Sequence, residues 1–323
     1  MTCSQGVPLQ ERQMVDRNLS VAIIGAGLMG HGIGQVFARA GHRVVLTDPA
    51  PGVLAQAIPR VSQNLRAEGV DPAGVVCNMA TEPDLCSAVA NADLVIEAAP
   101  EKLELKHRIF TEVAAAAPPH AVLASNTSVI PITRIGEPLD AGARGRLVGT
   151  HWWNPPHLIP LVEVVRSEYT RMDVFEQTFA WLEAVGKAPV KVHRDVTGFI
   201  GNRLQHALWR EAIALVADGV CDAEAIDSVV KNSFGLRMPV LGPMENADLV
   251  GLELTRDVHR VLFPDLHEDK APSPLLDRLI AQGHGGMRSG QGLRPWTPAA
   301  ADEVRRALAT HLIRMLESRA AGR

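Results

Sequence analysis

Residues 19–30 read LSVAIIGAGLMG, an apolar run that stops at glycine and opens into Gly-x-Gly-x-x-Gly. Residues 19–24 have the continuous hydrophobicity of a strand buried on both faces of a parallel sheet. From Leu28 to Ala40 apolar positions recur at helical spacing, and Gly41 stands where a helix commonly ends in a left-handed residue. A strand turning over glycines into a helix presents the helix's unpaired N–H groups at the sheet edge, where they stabilise a pyrophosphate. There Gly25 permits the tight turn, Gly27 lets backbone approach the phosphates, and Gly30 lets helix pack on strand, with Leu28 and Met29 filling the loop against the same ligand. A second strand, residues 42–47, ends at Asp48. An acid at that point accepts both ribose hydroxyls of NAD and repels the 2′-phosphate of NADP. The alternative is a glycine-rich turn beside a solvated Asp.

Further strands read at residues 93–98, DLVIEA, and 121–125, AVLAS, with a helix from PEKLELKHRIF between them. In that helix Glu101 and Lys106 either reach a cofactor ribose or stay solvated, and spacing alone favours the solvated reading. The strand at 121–125 runs into Ser125-Asn126-Thr127-Ser128, small polar residues at a strand's carboxyl end, where open α/β sheets bind ligands and where turn residues are also common.

Beyond it lies HWWNPPHLIPLVEVV, residues 151–165, in which short β-like runs flank a proline-rich bend. If the runs pair antiparallel around that bend, residues whose numbers sum to about 314 oppose one another, and His151 faces Glu163. A carboxylate beside an imidazole holds one tautomer and stabilises the cation formed on proton transfer, as a general acid/base needs. A satisfied structural His at a strand end is the alternative. Adjacent Trp152 and Trp153 point to opposite strand faces, so at most one lines the site while the other packs in the core.

Composition sets the frame. The 323 residues suggest about two domains, 46% hydrophobic and 21% charged residues describe an ordinary globular protein, and a net charge of −4 offers no basic field for nucleic acid or an anionic membrane. No stretch has the length and apolarity of a signal peptide or a membrane span, which leads to the expectation of a cytoplasmic protein. Cys3, Cys77, Cys86 and Cys221 have neither disulfide nor zinc spacing, so no metal is expected. In the second half, residues 200–217 carry apolar residues at helical spacing and end at Gly219, Asp222 is placed to cap a helix, and Pro298 to start a last one reaching about Leu316. The expected organisation is a flexible segment at 1–18, an NAD-binding Rossmann domain with a doubly wound sheet at 19–194, and an all-α substrate and dimerisation domain at 195–323.

The motifs GAGLMG, SNTS, HWWNP, LVEV, GFIGNRL from Gly198, and GPMENADLVGL from Gly242, in this order, resemble the 3-hydroxyacyl-CoA dehydrogenase family over nearly the whole chain beyond Leu19. The resemblance implies NAD as cofactor and a homodimer joined through the C-terminal helices. It implies His151 as general acid/base with Glu163 as its partner, and Ser128 and Asn202 positioning the reacting oxygen. Read without the family, the alternative for Asn202 on its apolar stripe is a satisfied core amide, the less favoured of the two; at the site its amide can accept or donate. By the same resemblance Asp48, Glu101, Lys106, Asn126, Ser128, Asn154 and Arg288 hold the cofactor. Arg288 lies in RSGQG, which departs from the family pattern in its continuation, Gly292-Leu293-Arg294.

Two departures bear on substrate. The segment from Pro49 to Ala92 has only Arg60 and Arg66 as cations, few for gripping a CoA phosphate, and Phe234-Gly235-Leu236-Arg237-Met238 resembles the small-substrate branch, which includes hydroxy-acid and pyridine-carboxylate dehydrogenases. An Arg237 facing the pocket makes a bidentate pair with a free carboxylate; otherwise it is a solvated loop residue. The expected reaction is hydride transfer between NAD and a small hydroxy or aldehyde carboxylic acid. A short-chain 3-hydroxyacyl-CoA dehydrogenase is the alternative within enzymes, and a non-catalytic, crystallin-like NAD-binding protein the alternative outside them.

Overall fold

A computed structural model describes residues 18–321, so the flexible segment expected at 1–18 lies almost wholly outside the described residues. Contacts between Cα atoms divide the chain into two compact units, one running to Asn202 and taken up again from Leu312, the other Arg203–His311.

The first unit is built on one eight-stranded sheet of order β3-β2-β1-β4-β5-β6-β7-β8. Its strands are β1 (Ser20–Ile24), β2 (Arg43–Thr47), β3 (Met79–Thr81), β4 (Leu94–Glu97), β5 (Val122–Ser125), β6 (Leu147–Trp152), β7 (Leu161–Val165) and β8 (Ala188–Val192). All neighbours are parallel except β6 and β7, joined by the proline-rich bend. Crossovers include α1 (Leu28–Arg39), α2 (Pro51–Ala67), α3 (Leu103–Ala116) and α4 (Met172–Ala184). Strand alternation divides the core: Val21, Ile23, Val44 and Leu46 pack with Phe37 and Leu65 on one face, and Ala22, Ile24, Val95 and Leu123 with Phe110 and Val113 on the other. This is the doubly wound Rossmann-type sheet that the alternation of apolar runs and helical periods implies.

The short strands β3 and β8 escape sequence reading because neither is an apolar run: Ala80, Thr81, Ala188 and Val190 are exposed at the two sheet edges. The segment after β2 opens with the 17-residue helix α2, which carries Pro59 inside it yet buries Leu54, Ala57, Val61 and Leu65 along one stripe.

The second unit is helical. Helix α5 (Gly201–Ala217) runs into it from the first unit and ends before Gly219, whose φ of 72° is the left-handed conformation that stops a helix. Helix α6 (Ala223–Asn232) begins at Asp222, whose carboxylate accepts the Ala225 N–H at 2.7 Å. Helices α7 (Pro243–Val250), α8 (Leu252–Leu262) and α9 (Pro274–Ala281) follow. The last, α10 (Pro298–Ala321), starts in this unit at its expected proline, belongs to the first unit from Leu312, and continues one turn beyond Leu316. Cys77 and Cys86 are exposed free thiols and Cys221 is half-buried. No described helix is long and apolar enough to cross a membrane.

Candidate active site

The carboxyl ends of β1, β2, β4, β5 and β6 fall along one edge of the sheet, and the residues singled out by sequence gather there. Gly25 has φ 91°, and a Cβ on it would lie 2.7 Å from the Ala98 carbonyl oxygen; a Cβ on Gly30 would meet the Gly25 carbonyl oxygen at 1.7 Å. Both glycines are demanded by the fold. Gly27 differs: nothing lies within 4 Å of the space its Cβ would fill, so the protein itself does not require glycine there. The open cradle lies at the N-terminus of α1, where N–H groups favour a phosphate, and it fits the pyrophosphate of NAD. Leu28, 60% exposed although apolar, and half-buried Met29 follow it. Asp48 closes the cradle, accepting the N–H of Ala26 at 2.9 Å and that of Ala50 at 2.9 Å.

Lys106 is not a solvated side chain, and for it the reading from spacing alone is corrected; Glu101 stays exposed but is bonded to its neighbours. Lys106 is 0% exposed and donates to both oxygens of Glu97, itself 0% exposed, at 2.7 and 2.9 Å, with Glu101 at 3.4 Å. Helical spacing cannot reveal this, because the partner is supplied by β4. Glu97 also accepts from the Ser125 hydroxyl at 2.6 Å and the Ala99 N–H at 2.7 Å. Glu101 accepts through one oxygen from the Thr127 hydroxyl and from the N–H groups of Ser128 at 3.0 Å and Val129 at 3.1 Å. Burial opposes ionisation of Glu101, but Thr127, Lys106 and these N–H groups outweigh it and hold its carboxyl below the ordinary range. Of the SNTS residues, Ser125 and Thr127 are therefore buried anchors, leaving Asn126 and Ser128 half-buried at the edge. Asn126 accepts the Trp152 N–H at 2.9 Å, and the Ser128 carbonyl accepts from the Asn202 side chain at 2.9 Å. Asn202 is thus a bonded amide that ties the start of α5 to this loop.

The register of β6 and β7 pairs Gly149 with Val165 and His151 with Glu163, the numbers summing to 314 as the bend dictates. Both side chains are buried, with His151 Nδ1 2.7 Å from Glu163 Oε2. The other carboxylate oxygen accepts the N–H groups of Ile200 at 2.8 Å and Gly201 at 3.0 Å. Burial raises the Glu163 carboxyl, but the bonds from His151, Gly201 and Ile200 prevail and keep it below the usual value, hence ionised at neutral pH. An ionised acceptor at Nδ1 assigns the imidazole proton to Nδ1 and leaves Nε2 bare. Trp152 turns into the core against Phe37, ring centroids 6.1 Å apart, whereas Trp153 contacts the His151 ring at 5.3 Å. Asn154 is exposed beside the cis Pro155.

Arg237 and Arg288 belong to the second unit. Arg237 ends a four-residue helical turn and Arg288 sits in the 3₁₀ turn Met287–Ser289; both are exposed. Among the described residues no group of three or more His, Cys, Asp or Glu could hold a metal ion.

Sequence reading missed several residues. Glu97 is signalled only as an acid closing an otherwise apolar strand. Lys187 is buried, donates to the carbonyls of Pro156 and Ile159, and lies 5.2 Å from the centre of the Trp152 ring, fastening the bend after His151. Phe199, at φ 51° the only non-glycine residue with positive φ among those described, contacts the His151 ring at 5.6 Å.

A Rossmann sheet with a pyrophosphate cradle, an acid at the end of β2 and a following helical unit defines an NAD-dependent dehydrogenase. The family follows from comparison: residues 20–196 match the NAD binding domain and 198–296 the C-terminal domain of 3-hydroxyacyl-CoA dehydrogenase, so the chain belongs to the 3-hydroxyacyl-CoA dehydrogenase family and is an NAD-dependent oxidoreductase acting on CH–OH groups. It is 34% identical to 5-formyl-3-hydroxy-2-methylpyridine 4-carboxylate 5-dehydrogenase of Mesorhizobium japonicum over 307 residues, 93% of this chain and 99% of the relative. A solved structure of a 5-dehydrogenase for that pyridine acid, described as an NAD+-dependent dismutase, matches with a TM-score of 0.86 at 34% identity, covering 93% of this chain and 97% of that one. The chain is also 40% identical to L-carnitine dehydrogenase of Nocardiopsis dassonvillei, over 72% of this chain and 71% of the relative. To the human mitochondrial hydroxyacyl-coenzyme A dehydrogenase it is 36% identical, over 84% and 89%.

Proposed function

We propose that this dehydrogenase transfers a hydride between NAD and a small hydroxy or aldehyde carboxylic acid, with His151 as general acid/base and Glu163 as its partner. The observation that carries the reading is the buried 2.7 Å bond between His151 Nδ1 and Glu163. NAD, when bound, supplies the hydride acceptor. The bare Nε2 of His151 takes the hydroxyl proton in oxidation and returns it in reduction, and the Glu163 charge offsets the imidazolium so formed. Ser128 and Asn202, joined by their own hydrogen bond, position the reacting oxygen. Gly25, Gly27, Leu28, Met29 and Gly30 cradle the cofactor, Asp48 selects NAD over NADP, and Glu101, Asn126, Ser128, Asn154 and Arg288 complete its site; Lys106, expected among them, is fully buried and acts only from behind, 3.4 Å from Glu101. Arg237 takes the substrate carboxylate.

The small-acid reading is supported by the scarcity of cations from Pro49 to Ala92 and by the near full-length likeness to a pyridine-carboxylate dehydrogenase. The helical unit serves substrate binding and dimerisation in a cytoplasmic homodimer. What supports dimerisation is its exposed apolar surface, with Leu236, Val240, Met244, Leu249 and Val261 each more than 70% exposed.

The test is turnover with NAD(H) and three probes: 5-formyl-3-hydroxy-2-methylpyridine 4-carboxylate, L-carnitine and acetoacetyl-CoA. Turnover of one of the two carboxylic acids far above that of the CoA ester is expected, and efficient reduction of acetoacetyl-CoA alone promotes the acyl-CoA alternative. His151→Ala should lower kcat by roughly 100-fold or more while NADH binding, read by fluorescence, stays within about twofold. Near-normal turnover in that variant overturns the acid/base assignment.

A further inference from the structure

Four contacts near His151 close on themselves. The imidazole is bonded to Glu163; the other oxygen of Glu163 accepts the Gly201 N–H at 3.0 Å; Gly201 lies against the Trp153 ring; and that ring contacts the imidazole at 5.3 Å. The Gly201 contact has no slack, since a Cβ there would stand 2.4 Å from Cζ2 of Trp153, with two more atoms of the same indole at 3.3 Å. Gly201 is the first residue of α5, in a backbone conformation open to any residue, and glycine at a helix position is about 0.5–1 kcal/mol worse than alanine. The three atoms nearest to the space a Cβ would fill all belong to Trp153, which accounts for the glycine. Phe199 adds a second ring, 1% exposed and 5.6 Å from the imidazole, held in the left-handed region although that conformation disfavours a bulky side chain. Backbone kept in such a region by its surroundings marks a position where geometry is being fixed.

We infer that Trp153, seated on Gly201 and assisted by Phe199, is a positioning residue that locks the His151 imidazole in the orientation its bond to Glu163 requires. The inference rests on the acid/base reading for its functional meaning, but the lock itself is a property of the folded chain. An alanine at 201 displaces the indole and with it either the imidazole or the backbone N–H that Glu163 holds. Replacing Trp153 by Phe removes the fused ring that meets position 201, and so makes room for the methyl group.

The test is a two-by-two set on the full chain: wild type, Gly201→Ala, Trp153→Phe, and the double variant. Long-range 1H–15N NMR of the imidazoles, with His151 assigned by its loss in His151→Ala, reads the lock without any substrate. In wild type the Nδ1–H proton shared with Glu163 gives one sharp downfield signal. Gly201→Ala should broaden it beyond detection by exchange and lower kcat by roughly 10-fold or more, the scale set by a misplaced catalytic group. The double variant should recover the signal and return kcat to within about threefold of Trp153→Phe alone. Adding Gly201→Ala to Trp153→Phe should also raise the melting temperature, because only the helix preference of alanine is then felt. An unperturbed signal in Gly201→Ala refutes the lock, as does a double variant that fails to fold or to regain the signal. The acid/base reading fails separately, by turnover surviving in His151→Ala, whatever the NMR shows.

Discussion

Replacing Lys106 by Met should destabilise the sheet domain by about 3–4 kcal/mol. Methionine has nearly the length of lysine, so the volume stays filled and the loss isolates the charge. In the wild-type fold Glu97 receives four hydrogen bonds, two from Lys106 and one each from Ser125 and the Ala99 N–H. The variant keeps the last two and leaves an anion with 0% exposure unpaired. Removing one partner of a buried pair typically costs about 3–5 kcal/mol, because the remaining charge is uncompensated. A ceiling follows from protonation: neutralising a glutamate at pH 7 costs about 1.36 kcal/mol for each unit above a solution pKa near 4.3, hence about 3.7 kcal/mol. At about 2–4 °C per kcal/mol for a domain of this size, the melting temperature should fall by roughly 6–15 °C in calorimetry. Adding Glu97→Gln removes the orphaned charge and should return at least about half of the loss. A drop below about 1 kcal/mol in Lys106→Met, or a double variant worse than the single, refutes the argument.

Four further outcomes follow from the same structure. Asp48→Ala should weaken NAD binding and narrow the preference over NADP, and comparable wild-type turnover with both cofactors would sink the reading of Asp48. Glu163→Gln should slow turnover by roughly 10-fold or more, because an amide cannot offset the imidazolium, and a change confined to melting temperature makes Glu163 structural. The half-buried imidazole of His157 is lowered to about 4 by desolvation, with His31 and Lys187 contributing, and His31 is lowered chiefly by its own burial. The unfolded chain takes these protons first, so the stability they allow is full above about pH 6.5 and lost as pH falls toward 4. His157→Gln should flatten that acid slope in melting temperature, and an unchanged slope removes His157 as its source. Arg237→Ala should raise KM for the small acid by roughly 10-fold to 100-fold, the scale of a charge-assisted contact of about 1.5–3 kcal/mol, and leave acetoacetyl-CoA kinetics alone; equal effects on both substrates would refute the carboxylate role.

Local chemistry made much of this protein readable before folding. Residues 19–30 announce a strand, a glycine turn and a helix because each glycine answers a backbone requirement within its own neighbourhood. His151 and Glu163 were legible together because an antiparallel pair around a short bend obeys arithmetic: two residues facing each other share a fixed sum. Trp152 and Trp153 divide between core and site for the same reason, strand alternation. The caps at Asp222 and Gly219 are likewise set within one turn of chain.

What the chain alone left open depends on neighbours far away in sequence. Glu101 and Lys106 look solvated from spacing, and only the approach of β4 buries Lys106 against Glu97, while the 125–130 loop bonds the still exposed Glu101 through Thr127. Edge strands β3 and β8 have too little apolar pattern to be seen until β2 and β7 present hydrogen bonds to them. The closed set of contacts from His151 through Glu163 and Gly201 to Trp153 joins segments up to 50 positions apart, and no periodicity spans that distance. Sequence determines which backbone shapes are available and which residues share a face, because those follow from local geometry. Burial, ion pairing and the lock on the imidazole come only with the tertiary fold, which decides what each face meets.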